Sequence, residues 1–301
     1  MYRNLLHIAI CLLLAASCSS DEVVSQSSDV RLSVCLPQDV TPEVMRMSLY
    51  GSESESYLGD VNLTGTVSDN MFNSTIQLRQ GAYDAFCYNL DAPNTFTNTG
   101  KNKSGLYFYT DRVTSDILAR CNYADGSAVY HTPDIVFGAE FPGMTVDGHG
   151  TECNAEAELL TETWTVIVNG TGLQYAQAAG TVISGLPTTY HPYKSEADAC
   201  GDLWTALSVS GAQVRGSFNV FKGIPASQQI LKLNILDTKG KSYIYPLDCT
   251  ELMSEARSRG TWTICPTGSI DLPKPDTTAN TGGGFQPSLG EWNQQTGEII
   301  I

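Results

Sequence analysis

The chain is 301 residues long, with 32 acidic residues against 17 basic ones, a formal net charge of −15 and 42% apolar residues. Such a balance repels phosphate backbones and anionic membrane surfaces, and no Lys-Arg cluster interleaved with aromatics stands out, which argues against nucleic-acid binding. The length is enough for two cores of ordinary domain size.

From Leu5 to Ala16 nearly every residue is apolar, with Arg3 ahead and Ala15, Ala16 and Ser17 behind, the order of an export signal. The run is shorter than the roughly 20 apolar residues that a spanning helix needs. Because it ends at a small residue directly before a cysteine, it resembles a lipoprotein signal peptide (residues 1–17), with Cys18 as the lipidated first residue of the mature chain. Cys11, preceded by bulky Ile10, fits less well, and an ordinary cleaved secretory signal is the alternative. Lipid on Cys18 would be the membrane attachment, and losing Arg3 with the signal makes the mature chain more acidic still. Residues 18–29, Ser-rich and acidic, read as a solvated tether.

Alternation then sets in. Val30–Leu36 and Met45–Tyr50 read as strands, and STIQL, Gly81 and AYDAFCY as short strands around a turn. Residues 138–152, GAEFPGMTVDGHGTE, carry four glycines and a proline and predict a boundary between a first domain over 30–145 and a second over 150–301. Beyond it, Thr163–Val168, GTVISGL and Gly216–Phe221 alternate. Leu231, Leu233 and Ile235 share a face, Asp237–Gly240 reverse the chain, and Tyr243 and Tyr245 alternate on the return, which predicts a hairpin. Only Thr250–Ser258 reads as helix, so the fold class is all-β, with β-sandwiches.

Signatures of catalysis fail in turn. The triplet Gly240–Ser242 imitates the end of a phosphate loop, but Ile235 stands where glycine is needed and the segment is a hairpin. The sequence DGHG at Asp147–Gly150 lacks the third glycine of a dinucleotide cradle, and there is neither a G-x-S-x-G elbow nor an H-E-x-x-H pair. His131 and His149, with Asp134 and Asp147, fit no metal-ligand spacing, and histidines facing water are the plainer reading; His191 adds little, and Tyr123–Ser127 lacks the acids of a calcium loop. No cofactor or metal is expected, and the chain does not read as an enzyme. The seven cysteines after Cys18 include no C-x-x-C pair, and no disulfide pairing is assigned. Trp164, Trp204, Trp262 and Trp292 are of a type that stacks on sugars, although Trp164 and Trp262 sit in strand-like contexts that favour core packing.

Several segments in register resemble the fimbrillin-like lipoproteins of Bacteroidales-type bacteria: LRQGAYDAFCYNLDAP from Leu78, TPDIVFGAEF from Thr132, GLQYAQAAGTVISGLP from Gly172, GSFNVFKG, the hairpin ending YPLDCTELM, and the tail from Gly268. The resemblance implies two tandem transthyretin-like β-sandwich domains and a structural or adhesive role at the outer-membrane surface. It implies fimbrial subunits or host or bacterial surface ligands as partners, and assembly by strand complementation. Asp21 and Glu22 after Cys18 resemble the export tag of surface lipoproteins in these bacteria, and Asp276–Thr278 resembles their O-glycosylation acceptor, with Thr277 as the modified residue. Major stalk subunits of the family are cut after an arginine near the first strand; here Arg31 is expected to begin that strand and Arg46 to lie in the second. Ile299, Ile300 and Ile301, following Gly297, read as a strand-exchange or strand-pairing segment. A surface glycan-binding lipoprotein accessory to polysaccharide uptake is the alternative function, favoured by exposed aromatics aligned on one face.

Overall fold

The computed structural model describes residues 27–124, 126–224, 227–266 and 270–275. Cys18, Thr277, Trp292 and Ile299–Ile301 therefore lie outside the described residues. In chain order the strands begin with β1 (Ser27–Cys35), β2 (Met45–Gly51), β3 (Tyr57–Leu63), β4 (Gly65–Ser68), β5 (Met71–Arg79) and β6 (Gly81–Asn89). Next come β7 (Thr95–Asn98), β8 (Tyr107–Thr110), β9 (Val129–His131), β10 (Phe137–Val146), β11 (Thr151–Glu156) and β12 (Glu158–Leu159). The rest are β13 (Thr161–Thr171), β14 (Ala176–Pro187), β15 (Thr189–Tyr190), β16 (Cys200–Ser210), β17 (Gln213–Phe221), β18 (Ile230–Asp237), β19 (Ser242–Asp248), β20 (Thr263–Ile264) and β21 (Ile270–Asp271). The chain is all-β in class, with the helix Thr250–Ser258 where the sequence places it and a second short helix, Ser115–Arg120, that the sequence reading missed. No helix among the described residues is long and apolar enough to cross a membrane.

Two sheets make the first unit. One has the order β11-β1-β5-β4 and the other β12-β10-β6-β2-β3. The core between them is made by alternate residues: Val30, Leu32 and Val34 from β1 meet Met45 and Met47 from β2 and Phe141 from β10, all 2% exposed or less. Burial of each such side chain is worth roughly 1.5–3 kcal/mol. The strand β1 starts at Ser27, inside the segment read as tether, because Ser27, Ser28 and Asp29 pair with Arg79, Leu78 and Gln77. Arg31 is accordingly mid-strand and does not begin it. STIQL and AYDAFCY do form strands beside Gly81, but β5 and β6 belong to different sheets.

The second unit is built on the seven-strand path β19-β18-β14-β16-β17-β13-β20, which β21 beside β13 and β9 beside β16 extend to nine strands, and in it β16 passes from pairing with β14 to pairing with β17. Trp164, Leu203, Phe218, Leu233 and Ile235 lie in its core. The expected hairpin is β18–β19: the Asp237 carboxylate accepts from the Lys239 and Lys241 amides at 2.8 and 2.9 Å, and Gly240 takes φ 80°. The GKS triplet is that turn. At the far edge, β20 and β21 add to β13 in parallel, and Gly172 lets the backbone of Leu272 approach where a Cβ would sit 1.8 Å from its carbonyl oxygen.

Residues 138–152, read as a boundary, are not a gap. Most of that stretch is β10, paired with β6, and β11, paired in parallel with β1, so the first unit's strands run on to Leu159. The glycine that misleads is Gly138, where a Cβ would stand 2.4 Å from the Phe86 ring; it serves close packing rather than a turn. Pro142 and Gly143 sit at the bulge between Phe141 and Met144.

The two units are also stitched together. The strand β8 pairs with β15, β9 pairs in parallel with β16, and β7, β8 and β15 form a separate three-stranded sheet. Its inner face, with Leu106, Phe108 and Tyr190, joins Tyr50 and Phe86 of the first unit and Phe221 of the second in one aromatic cluster.

Candidate interaction surfaces

In a chain built from sheets, the places able to engage another molecule are strand edges, clefts and uncovered faces. The first strand is the best-held of the candidates for exchange. It bonds to β5 on one side and β11 on the other, alternates exposed and buried residues, and directs Val30, Leu32 and Val34 into the core. Along its outer face Arg31 pairs with Glu152 at 3.0 Å and Asp29 accepts from Gln77 at 3.0 Å. Both contacts are exposed and contribute little. The start of β1 borders a polar cleft of about 550 Å3 lined by Asp29, Arg31, Gln77, His149 and Glu152. Arg46, the second residue of β2, bonds to Asn62 at 3.0 Å.

A second cleft, about 500 Å3, opens where β14 and β16 diverge, between Ala176, Ala178 and Ala179 on one side and Ala206, Leu207 and Val209 on the other.

The outer face of the three-stranded sheet carries a row of rings. Phe96 on β7 lies directly opposite Tyr109 on β8, with ring centroids 5.6 Å apart. Tyr107 follows at 5.7 Å from Tyr109, and His191 at 5.4 Å from Tyr107. Phe96 is 39% exposed, and both tyrosines are half-buried. Asp198 Oδ2 stands 3.6 Å from His191 Nε2 at the end of the row.

Where the units meet, Lys103 donates to Asp84 at 2.7 Å and lies over the Tyr193 ring at 5.8 Å. Asp84 also accepts from the Gly143 amide at 2.8 Å and from Ser52 at 3.4 Å. Burial pushes the Asp84 carboxyl up, but the hydrogen bonds from Lys103 and Gly143 outweigh it and hold the pKa below the ordinary value. The Asp84 bond in turn raises the Lys103 ammonium.

The residues weighed for metal binding are put to structural use in separate places. Asp134 holds the turn before β7, accepting from the Asn94 amide at 2.6 Å, while its own amide donates to Thr95 at 2.9 Å. His131 on β9 stands edge-on to Trp204, and burial pushes its imidazole below the ordinary value against the pull of Asp111 and Asp134. Asp147 closes the loop before β11 by accepting from the His149 amide at 3.1 Å. Trp164 and Trp262 pack against each other in the second core, ring centroids 5.2 Å apart, as their strand context suggests. The sequence reading passed over Asp84, Lys103, Phe96, Tyr107 and Tyr109. The signal for the last three was present in the short alternating runs TFTN and YFYT.

No protein-family model matches the chain, and no curated protein does. Among solved structures it is similar to a candidate adhesin from Bacteroides ovatus, with a TM-score of 0.62 at 16% identity, covering 85% of this chain and 95% of that one. A candidate polysaccharide-binding protein from Bacteroides thetaiotaomicron superposes with a TM-score of 0.52 at 9% identity over 79% of this chain and 89% of that one. The fimbrial anchor protein Mfa2 from Porphyromonas gingivalis is a looser match, with a TM-score of 0.48 at 11% identity over 80% and 89%. The chain shares its fold, over most of its length, with these Bacteroides proteins, one described as a candidate adhesin and one as a candidate polysaccharide-binding protein.

Proposed function

We propose that the chain is a surface-anchored, fimbrillin-like lipoprotein, held by lipid on Cys18 and acting in adhesion or fimbrial assembly without catalysis. The observation that carries this reading is the fold shared with the Bacteroides ovatus adhesin candidate across 95% of that protein. On this reading the two units are tandem transthyretin-like sandwiches, and assembly proceeds by strand complementation. The first strand supplies a rationale: if it were removed, for example by a cut after Arg46, the edges of β5 and β11 and the pockets of Val30, Leu32 and Val34 would be free for a strand of another subunit. A cut after Arg31 would leave half of β1 in place. Chemical crosslinking on intact cells, with identification of the captured partner, tests the reading; capture of periplasmic enzymes alone would refute it.

Two expectations follow. With a clickable fatty acid supplied to cells, wild type should be labelled and Cys18→Ala should not; equal labelling would show that the lipid is elsewhere. Deleting Ile299–Ile301 should lower the melting temperature of the purified monomer if those residues pair within their own chain. It should instead abolish incorporation into surface assemblies, with the monomer unchanged, if they are donated to a neighbour. A deletion with neither effect removes the segment from strand pairing altogether.

A further inference from the structure

We propose that the outer face of the β7–β8–β15 sheet is a carbohydrate-binding platform that takes a neutral glycan chain along the row Phe96, Tyr109, Tyr107. The proposal rests on the surface-adhesion reading for its setting and adds a ligand class and a site to it.

The sheet does not need these rings for its own stability. Leu106, Phe108 and Tyr190 already anchor its inner face at 5% exposure or less. A strand pair buried on one side ordinarily shows polar residues on the other. Here the outward positions of β8 are both tyrosine, and the residue opposite Tyr109 is phenylalanine, the largest exposed apolar ring among the described residues. A cross-strand aromatic pair stabilises a hairpin by itself. It does not account for a row that continues to Tyr107 and on to His191, each ring centroid 5.4–5.7 Å from the next.

The row suits sugars for three reasons. An aromatic face is electron-rich, and the C–H face of a pyranose carries the complementary partial charge while presenting apolar surface to bury. Hydroxyl partners stand beside the rings: neither the Tyr107 nor the Tyr109 hydroxyl has a protein partner among the described residues, Thr189 lies opposite Tyr109 on β15, and Asn98 lies opposite Tyr107 on β7. At the end of the row the His191–Asp198 pair, 3.6 Å apart, is too long for a direct hydrogen bond and leaves the three-quarters-exposed Asp198 carboxylate open to a hydroxyl. Buried His191 Nδ1 has no partner among the described residues, so this histidine is not committed to holding the fold through that atom. Charge sets the class. Glu196, bridged to His191, is balanced by Lys194 at 3.7 Å, so the open charge at the end of the row is that of Asp198, which within a chain of net charge −15 disfavours uronic or sulfated glycans. Successive rings also tilt by 31° and 49°, which suits a chain that turns from one sugar to the next better than a flat ribbon.

Affinity electrophoresis through gels holding amylopectin, mixed-linkage β-glucan, xylan or galactomannan, with polygalacturonate as the anionic control, tests the platform. Wild type should be retarded by at least one of the four neutral polymers and not by polygalacturonate. Loss of one stacked ring in Tyr109→Thr should weaken retardation about fivefold, and Phe96→Thr/Tyr109→Thr more than about tenfold. Threonine keeps the strand propensity of both sites, and an unchanged melting temperature confirms folding; Tyr107→Thr, outside the cross-strand pair, serves if the double variant melts early. No retardation by any neutral polymer overturns the proposal, as does equal retardation of the variants. Self-association of wild type that disappears in the double variant overturns it too, and assigns the face to a second copy of the chain. Crosslinking of the double variant on intact cells should match wild type, so that failure of the platform and failure of the adhesion reading are told apart.

Discussion

Trp164→Ala is expected to destabilise the second unit by about 3–5 kcal/mol, read as a shift of the denaturation midpoint at unchanged slope, with a melting temperature lower by roughly 10 °C. Trp164 is fully buried on β13, opposite Phe218 on β17, and its ring meets Trp262 edge-on at 5.2 Å. Alanine removes the whole ring from a site walled on both sides by paired strands, β17 and β20, which cannot close over the space. The indole nitrogen is buried without a partner among the described residues. Trp164→Phe therefore deletes an unsatisfied N–H along with part of the volume, and should cost less than about 1.5 kcal/mol. A phenylalanine variant as unstable as the alanine one would mean that the indole nitrogen, and not the ring volume, matters at this site.

The second large effect concerns the ion pair between Lys103 and Asp84. Lys103→Met should destabilise by about 2 kcal/mol at neutral pH. The pair is short, at 2.7 Å, but the lysine side chain is 27% exposed, so the figure is held below that of a fully buried pair. Its pH dependence has a definite sign. The Asp84 pKa is lowered in the folded state, so its contribution is present above the ordinary carboxylate value and is lost as pH falls through the lowered one. The Lys103 pKa is raised, so its contribution is full at neutral pH and is lost only at strongly alkaline pH. The difference between wild type and variant should thus be largest at about pH 7 and shrink toward about pH 3. An equal difference at both would trace the effect to lost packing on Tyr193 instead.

How much of this was legible in the sequence depends on whether the cause was local. The hairpin β18–β19 and the helix Thr250–Ser258 are written in neighbouring residues: alternation, a turn, and then a helical stretch. The all-β class follows in the same way. The stretch 138–152 was misread because the reason for Gly138 is the Phe86 ring, a residue distant in sequence. The pairing of Asp84 with Lys103 and the stacking of Phe96 on Tyr109 likewise join residues separated by more than one turn of chain, and composition carries no sign of them. The pairing of β9 with β16 is more distant still.

That last pairing bears on the order in which the chain acquires structure. The strand β9 and the helix Ser115–Arg120 precede the whole second unit in sequence, yet Val113, Ile117, Leu118 and Val129 are buried against Val182 and Trp204 of β14 and β16. As the chain emerges from its N-terminus, the first unit's two sheets can close once β11 and β12 have followed β10. The apolar face carried by the helix and β9 has nothing to rest on until β14 and then β16 arrive. For that interval it is an exposed, adhesive surface of the nascent molecule, and it makes the stretch 113–131 the place where misfolding or a holding chaperone would first act.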